Sequence, residues 1–315
     1  MRVLITGGAG FIGSHLSEAL LGAGHQVHVL DNLSTGSISN IAHLKSHAGF
    51  SYDIDSVENE QLLAELIDSA DVVFHFAAAV GVKLIVEQPV YTIETNVHGT
   101  EVVLKHANKK KKRVIVASTS EVYGKSVDVP FREDADLVMG PTTKHRWAYA
   151  CSKAIDEFLA LAYYKERKLP VIIVRFFNTV GPRQTGQYGM VIPNFVRQAL
   201  AGEPITVFGD GTQSLDYSHV DDIARATILS MSREVSGRVL NVGSGSAVSV
   251  NELTEAMMLA SGVRLKPVFE PPDVTAGSCR VANPGQAEKL LGYRASIPMD
   301  AGLRATWEWV RHQVQ

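Results

Sequence analysis

The sequence predicts an α/β fold: a Rossmann-type, doubly wound parallel sheet followed by a smaller, mixed α/β C-terminal lobe. Three observations carry this expectation. Short apolar runs alternate with helical stretches through the first half of the chain, as successive βαβ units require. A glycine-rich turn, Gly7-Gly8-Ala9-Gly10-Phe11-Ile12-Gly13, separates the first apolar run from the first amphipathic stretch. Beyond Asn178, glycine and proline become frequent and the apolar runs shorten, which marks a change of architecture.

Taken in order, Arg2–Thr6 reads as a buried strand, and the glycine turn opens a helix that runs to about Ala23 and stops at Gly24. Gln26–Leu30 is a second strand ending at Asp31, and Val72–His75, Arg113–Ala117 and Val171–Arg175 are further strands, each preceded by helical sequence. Their near-continuous apolar character fits a parallel sheet covered on both faces. Residues 1–178 therefore form the Rossmann unit and 179–315 the lobe. A segment near 212–248 returns to the first unit, because Arg238–Val242 resembles another core strand. Pro267–Pro272 reads as a loop and Ala301–Gln313 as a terminal helix. The basic run Lys109–Arg113 reads as a solvated helix end, where cations suit the negative pole of the macrodipole.

With 315 residues, 45% of them hydrophobic, and a formal charge of -3, the composition is that of a globular protein. That charge gives no electrostatic basis for binding nucleic acid or a membrane surface. No apolar run is long enough to span a bilayer, which takes about 18 residues, and the N-terminus opens straight into the glycine turn rather than a signal peptide. Cys151 and Cys279 are far apart and lack metal-site spacing. A reducing, cytoplasmic setting without a metal is the expectation.

The chemistry begins at the glycine turn. In Gly7, Gly10 and Gly13 the first glycine permits a tight turn, the second lets backbone N–H groups approach a pyrophosphate, and the third lets the helix pack closely on the strand. Asp31, at the end of the second strand, would accept the adenosine ribose 2′-hydroxyl and repel a 2′-phosphate, which favours NAD over NADP. Tyr149 and Lys153 stand one helical turn apart, on one helix face. A phenol is a poor base at neutral pH. A nearby ammonium and the positive nicotinamide both favour its ionised form, so Tyr149 could take a sugar hydroxyl proton while hydride leaves the same carbon. In Ser118-Thr119-Ser120-Glu121-Val122-Tyr123-Gly124 hydroxyls and a carboxylate follow a strand, where open α/β sheets place ligands. The same residues also suit simple turn capping.

The motifs TGGAGFIGSHL, HFAAAVGV, NVHGT, STSEVYG, YACSK, RFFNTVGPR and FGDGT follow one another along nearly the whole chain. In this order they resemble the extended short-chain dehydrogenase/reductase family, the NAD-dependent nucleotide-sugar epimerases, dehydratases and decarboxylases. The resemblance implies a catalytic triad of Thr119, Tyr149 and Lys153, with Glu121 beside it. It implies that Gly7, Gly10, Phe11, Ile12, Gly13, Asp31 and Asn32 hold NAD, with Asp55 and Ser56 at the adenosine half. Ala77, Ala78 and Asn96 would line the cofactor, and Lys153 would also bind its nicotinamide ribose. Lys83, Asn178, Arg183, Val191 and Arg280 are the expected substrate contacts, and the chain is expected to form a homodimer through helices that include the one carrying Tyr149. On this reading residues 1–178 bind NAD and 179–315 chiefly the nucleotide sugar.

In the branches resembled, NAD oxidises the sugar at C4 and the fate of the 4-keto sugar decides the enzyme. A 4-epimerase acting on a UDP-sugar is the first reading. A UDP-glucuronate decarboxylase is the alternative, because Ser-Thr-Ser-Glu and the Arg146-Trp147-x-Tyr149 element are similar to those enzymes, in which the Glu and a C-terminal Arg assist loss of the carboxylate. Arg280 is the nearest candidate for that Arg. A 4,6-dehydratase is disfavoured, since Ser120-Glu121 replaces the usual Asp-Glu pair. A net reductase and a catalytically silent, NAD-binding regulatory subunit complete the set. Leu215 stands where relatives carry an Arg that clamps the substrate diphosphate, and Arg183 or Arg280 would have to supply that charge.

Overall fold

Successive residues of a strand point to opposite faces of its sheet, and here both faces are apolar. Val3 and Ile5 enter one core and Leu4 the other; Val72 and Phe74 divide from Val73 in the same way. The computed structural model describes residues 1–185, 190–271 and 279–314, without the side chains of Val82, Lys83, Arg233 and Val314. Its strands are β1 (Arg2–Thr6), β2 (Gln26–Leu30), β3 (Phe50–Asp53), β4 (Val72–His75), β5 (Arg113–Thr119), β6 (Val171–Phe176), β7 (Asn178–Val180), β8 (Thr206–Phe208), β9 (Ser214–His219), β10 (Arg238–Val242), β11 (Ala247–Ser249), β12 (Val268–Glu270) and β13 (Cys279–Arg280). Its helices are α1 (Phe11–Gly22), α2 (Glu60–Ser69), α3 (Val82–Glu87), α4 (Pro89–Lys109), α5 (Trp147–Arg167), α6 (Val191–Ala201), α7 (Val220–Leu229), α8 (Val250–Ser261), α9 (Gly285–Leu291) and α10 (Met299–Val314).

Seven strands form one sheet in the order β10-β6-β5-β4-β1-β2-β3, with every neighbouring pair parallel. This is the doubly wound Rossmann-type architecture. Leu16 and Leu20 of α1 and Ile223 and Ala226 of α7 cover one face. Leu63 and Ile67 of α2, Val102 and Val103 of α4 and Ala160 of α5 cover the other. The chain runs outward from β1 through β2 to β3, then returns to place β4 on the far side of β1. Ligands bind such sheets at this reversal, beyond the carboxyl ends of the strands.

Of the segment expected to return near 212–248, Arg238–Val242 joins the large sheet as β10 and α7 packs on α1, whereas β9 does not join it. Instead β9 pairs with β7, β11 and β13 in a small second sheet. Beside it Phe195, Val196, Leu253, Met257, Leu303 and Trp307 from α6, α8 and α10 share a third core. One strand is additional to those expected and one local expectation is corrected. Phe50–Asp53, left unassigned from sequence, is the edge strand β3. Within Pro267–Pro272, read as a loop, Val268–Glu270 pairs in parallel with β8; Pro272 lies outside the described residues. The basic run is also more engaged than a solvated helix end: Lys110 pairs with Asp68 at 2.8 Å, and Lys112 donates to the carbonyls of Asp68 and Ala70 at the end of α2. No helix among the described residues is long and apolar enough to cross a membrane.

One buried polar cluster fixes α5 against the sheet. Arg175 on β6 donates to Glu157 on α5 through Nε at 2.9 Å and through its terminal nitrogen at 2.6 Å, a bidentate fork. Ser118 at the end of β5 donates to the same carboxylate at 2.5 Å. Arg175 also donates to the Tyr123 hydroxyl at 2.8 Å, which donates to Asn241 on β10 at 2.7 Å. Removing one member of such a pair strands the other charge in the interior, a cost of about 3–5 kcal/mol. Glu157→Ala is therefore expected to lower the urea-unfolding free energy by about 3 kcal/mol, measured by circular dichroism.

Candidate active site

The carboxyl ends of β1 to β6 open on a cavity of about 440 Å³. Gly7, Gly10, Phe11, Ile12 and Gly13 line it from the β1 turn, Asp31 and Asn32 follow β2, and Asp55 and Ser56 follow β3. Ala77 and Ala78 line it after β4, and Tyr149 and Lys153 close it from α5. The missed strand β3 is what delivers Asp55 to this wall. Ser56 N–H and Asn59 Nδ2 donate to the Asp55 carboxylate at 2.7 and 2.8 Å and fix its direction.

The turn is shaped for close approach. Gly7 has φ +75°, and a Cβ there would lie 2.6 Å from the backbone nitrogen of Ala77. A Cβ on Gly13 would lie 2.3 Å from the Gly7 carbonyl, so the third glycine seats α1 on the turn. Gly10 caps α1 without a side-chain hydrogen bond, leaving the first-turn N–H groups directed outward, where an anion is favoured. Asp31, 7% exposed, accepts from Ala9 N–H and Leu33 N–H, each at 2.8 Å. Burial raises its pKa, against the pull of those N–H groups. These features fit a dinucleotide, whose pyrophosphate would be held at the α1 N-terminus.

Two expected contacts take other places. Asn96, on α4, does not line the cavity; it accepts from Ala79 N–H at 2.7 Å and donates to the Ala79 carbonyl and Ser152 Oγ. It shapes the wall after β4 from behind, because its amide is satisfied by backbone it cannot leave without orphaning buried groups. Arg183, expected at the substrate, reaches α1 instead: it donates to Glu18 at 2.7 Å and to the Asn40 carbonyl at 3.3 Å. The backbone of Lys83 starts α3, and its side chain lies outside the described residues.

Around Tyr149 the groups come from separate elements. Thr119, at the end of β5, accepts from Glu121 N–H at 3.2 Å and hydrogen-bonds the Tyr149 phenol. Burial pushes the pKa of that phenol up, the charges of Glu121 and Asp156 add to the effect, and Thr119 opposes it. This corrects the expectation of a phenol acidified by its neighbours: Lys153 Nζ donates to Asp156 at 2.8 Å, an acidic partner the sequence reading did not weigh. Glu121 lies between Arg280 and Arg146, hydrogen-bonded to Arg280 and 3.4 Å from Arg146. Burial would raise the Glu121 pKa; the two guanidinium groups outweigh it and hold the carboxyl below its ordinary range.

The small sheet brings the remaining residues together. Asn178 sits opposite Tyr217 in the β7–β9 register and donates to the Asp216 carbonyl at 3.2 Å. Arg280 sits opposite Leu215 in the β13–β9 register. Of the two arginines expected to supply the diphosphate clamp's charge, Arg280 is thus the one next to Leu215. The Tyr217 hydroxyl beside it is buried with no hydrogen-bond partner among the described residues. Val191 begins α6 and is 37% exposed. Tyr91 and Thr95 of α4 and Gln184 after β7 also line the cavity; no motif pointed to them.

Residues 3–243 match the NAD dependent epimerase/dehydratase family. The chain belongs to that family. It is 39% identical, over 98% of both chains, to the UDP-N-acetyl-alpha-D-glucosaminuronate decarboxylase of Bacillus cytotoxicus. Among solved structures it is similar to the UDP-glucose 4-epimerase of Thermotoga maritima bound to UDP-glucose, with 30% identity, TM-score 0.90 and 100% of both chains covered. It is also similar to the UDP-glucuronic acid 4-epimerase of Bacillus cereus in complex with UDP-glucuronic acid and NAD, with 28% identity and TM-score 0.91, covering 99% of this chain and 100% of that one. As a member of the epimerase/dehydratase family the chain is an NAD-dependent enzyme. Gly13→Ala, whose methyl meets backbone, is expected to weaken NAD binding at least about tenfold, read by isothermal titration.

Proposed function

We propose that the chain is an NAD-dependent decarboxylase of a UDP-linked uronic acid, UDP-N-acetylglucosaminuronate or UDP-glucuronate. The observation that carries this reading is the Arg280–Glu121 ion pair, with Arg146 on the other carboxylate oxygen. The sequence analysis put the 4-epimerase first. Two things now favour the decarboxylase: the Glu and the C-terminal Arg that such chemistry needs meet in space, and the 39% identical relative is named for decarboxylation.

Bound NAD supplies the oxidant and then the reductant for C4 of the sugar. Tyr149, hydrogen-bonded to Thr119, takes the C4 hydroxyl proton and later returns it. Lys153 would hold the nicotinamide ribose and supply positive charge near that hydroxyl. A C4 ketone makes the C6 carboxylate a β-keto acid, so the C5–C6 bond breaks with release of CO2 and its electrons pass to O4 as an enolate. Thr119 and Tyr149 donate to that oxygen. Two guanidinium groups against one carboxylate leave net positive charge for an acidic substrate. Glu121, kept ionised, orients Arg280 or a water toward C5, which must gain a proton before C4 is reduced. Arg280, opposite Leu215 in the β13–β9 register, would also supply positive charge for the substrate diphosphate there.

Whole-length likeness to solved 4-epimerases supports a second reading, in which the keto sugar turns over and the acid is retained. Proton NMR of reactions with both UDP-uronates separates the two. Decarboxylation replaces the C5 methine by a methylene and releases one CO2 per sugar without net NADH; an inverted C4 with the carboxylate intact would overturn the proposal. Glu121→Gln is expected to lower kcat for CO2 release about a hundredfold.

We also propose a homodimer, as in the family. Its support is the exposed apolar stripe of α4 and α5: Val90 and Ile93 on one helix, Ile155 and Phe158, the last 70% exposed, on the other. Phe158→Glu is expected to convert the dimer to a monomer in light scattering.

A further inference from the structure

We propose that Asp156 is a positioning residue of this same site: its carboxylate holds the Lys153 ammonium and sets how much of that positive charge Tyr149 feels. The inference rests on the reading of Tyr149 as the acid–base group.

Tyr149, Lys153 and Asp156 follow one another at helical spacing on α5, so one stripe of the helix carries phenol, ammonium and carboxylate. The Lys153–Asp156 contact is 2.8 Å, with side chains 4% and 0% exposed. It is the only ion pair of Lys153 among the described residues. On the same helix, Glu157 turns away to Arg175 and Ser118. From α4, Thr100 faces the Asp156 carboxylate and favours its charged form, and from β4 the His75 ring accepts or donates between Thr6 at 2.8 Å and Thr100 at 3.1 Å. Burial, then the Lys153 charge, push the pKa of His75 down to about 3, so this histidine is neutral and adds no competing cation. From the turn after β5, Glu121 is the other anion acting on Tyr149. Asp156 Oδ1 is buried with no hydrogen-bond partner among the described residues, which leaves the ammonium as the main stabiliser of that carboxylate.

The consequence is electrostatic. A cation within about 4–6 Å lowers the pKa of an acid by about 1–3 units. A carboxylate in contact with that cation, where the dielectric is low, cancels much of its field. Tyr149 is therefore less acidic here than a tyrosine facing an unpaired lysine. A redox-neutral cycle needs Tyr149 to return the proton it takes, and a less acidic phenol keeps that proton in the site until then.

The test uses the NAD-loaded protein and needs no substrate. A phenolate beside an oxidised nicotinamide gives long-wavelength charge-transfer absorbance, and its pH titration reports Tyr149 directly. Asp156→Asn is expected to move the midpoint down by about one pH unit. A purely structural role for Asp156 would lower the melting temperature and NAD occupancy but leave the midpoint in place, and an unmoved midpoint with a Tyr149-dependent band overturns this inference alone. A band that survives Tyr149→Phe, or no band from NAD-loaded wild type, overturns the reading of Tyr149 and this inference with it. Asp156→Asn strands a buried cation and can fail to fold; the wild-type midpoint then decides, because an unpaired lysine would bring a phenol from about 10 to about 7–9, so a midpoint above about 9 supports the inference and one below it overturns it.

Discussion

The bidentate contact between Arg175 and Glu157 fixes the helix that carries the proposed acid–base residues. Arg175 sits on β6 and Glu157 on α5, so the fork sets both how deep α5 lies on the sheet and how it is rotated. Rotation is what matters for the site. Tyr149, Lys153 and Asp156 share one stripe, and a turn of the helix by one residue would carry them away from the cavity by about 100°. Ser118 and Tyr123 join the same cluster, which links the end of β5, where Thr119 stands, to α5, where its phenol partner stands. Proton-transfer geometry tolerates little error, and a buried charge-assisted fork is a stiff way to meet that demand.

Charge near Tyr149 falls into two groups, an inner, matched one and an outer one with surplus positive charge. On the inner side, Lys153 is matched by Asp156. On the outer side, Glu121 is overmatched by Arg280 and Arg146. The inner pair is closed from solvent, and under the proposed function it would act on the phenol. The outer group joins the turn after β5 to β13 of the small sheet; under the proposed function it would face the substrate. An acidic nucleotide sugar bound as proposed would bring its own negative charge to the outer side, and the surplus guanidinium there would offset the cost of removing that charge from water. The departure at Leu215 fits this arrangement, since the Arg lost from β9 has a neighbour on β13.

Much of this was legible in order along the chain. Six of the seven strands of the large sheet were recognisable because each is a short apolar run buried on both faces; β3 was not, because FSYD is an edge strand with only partly buried residues. Val268–Glu270 escaped for a related reason: it is exposed and bracketed by prolines. The glycine turn, Asp31 and the Tyr149–Lys153 spacing were readable because each belongs to one turn or one helix. Asp156 had the right spacing too, but an acid on a helix is most often solvated, and nothing local said that this one is buried.

The sequence by itself therefore determined the α/β class, the dinucleotide cradle and the tyrosine–lysine pair, because backbone sterics and the periods of strand and helix act over a few residues. Only the tertiary structure decided that Arg280 meets Glu121, 159 positions away, that Arg183 serves α1 rather than the substrate side, and that Asn96 supports the cavity wall without facing it. Those outcomes depend on strand order and on which side chains are shut away from water, and both are properties of the assembled sheet rather than of any one segment.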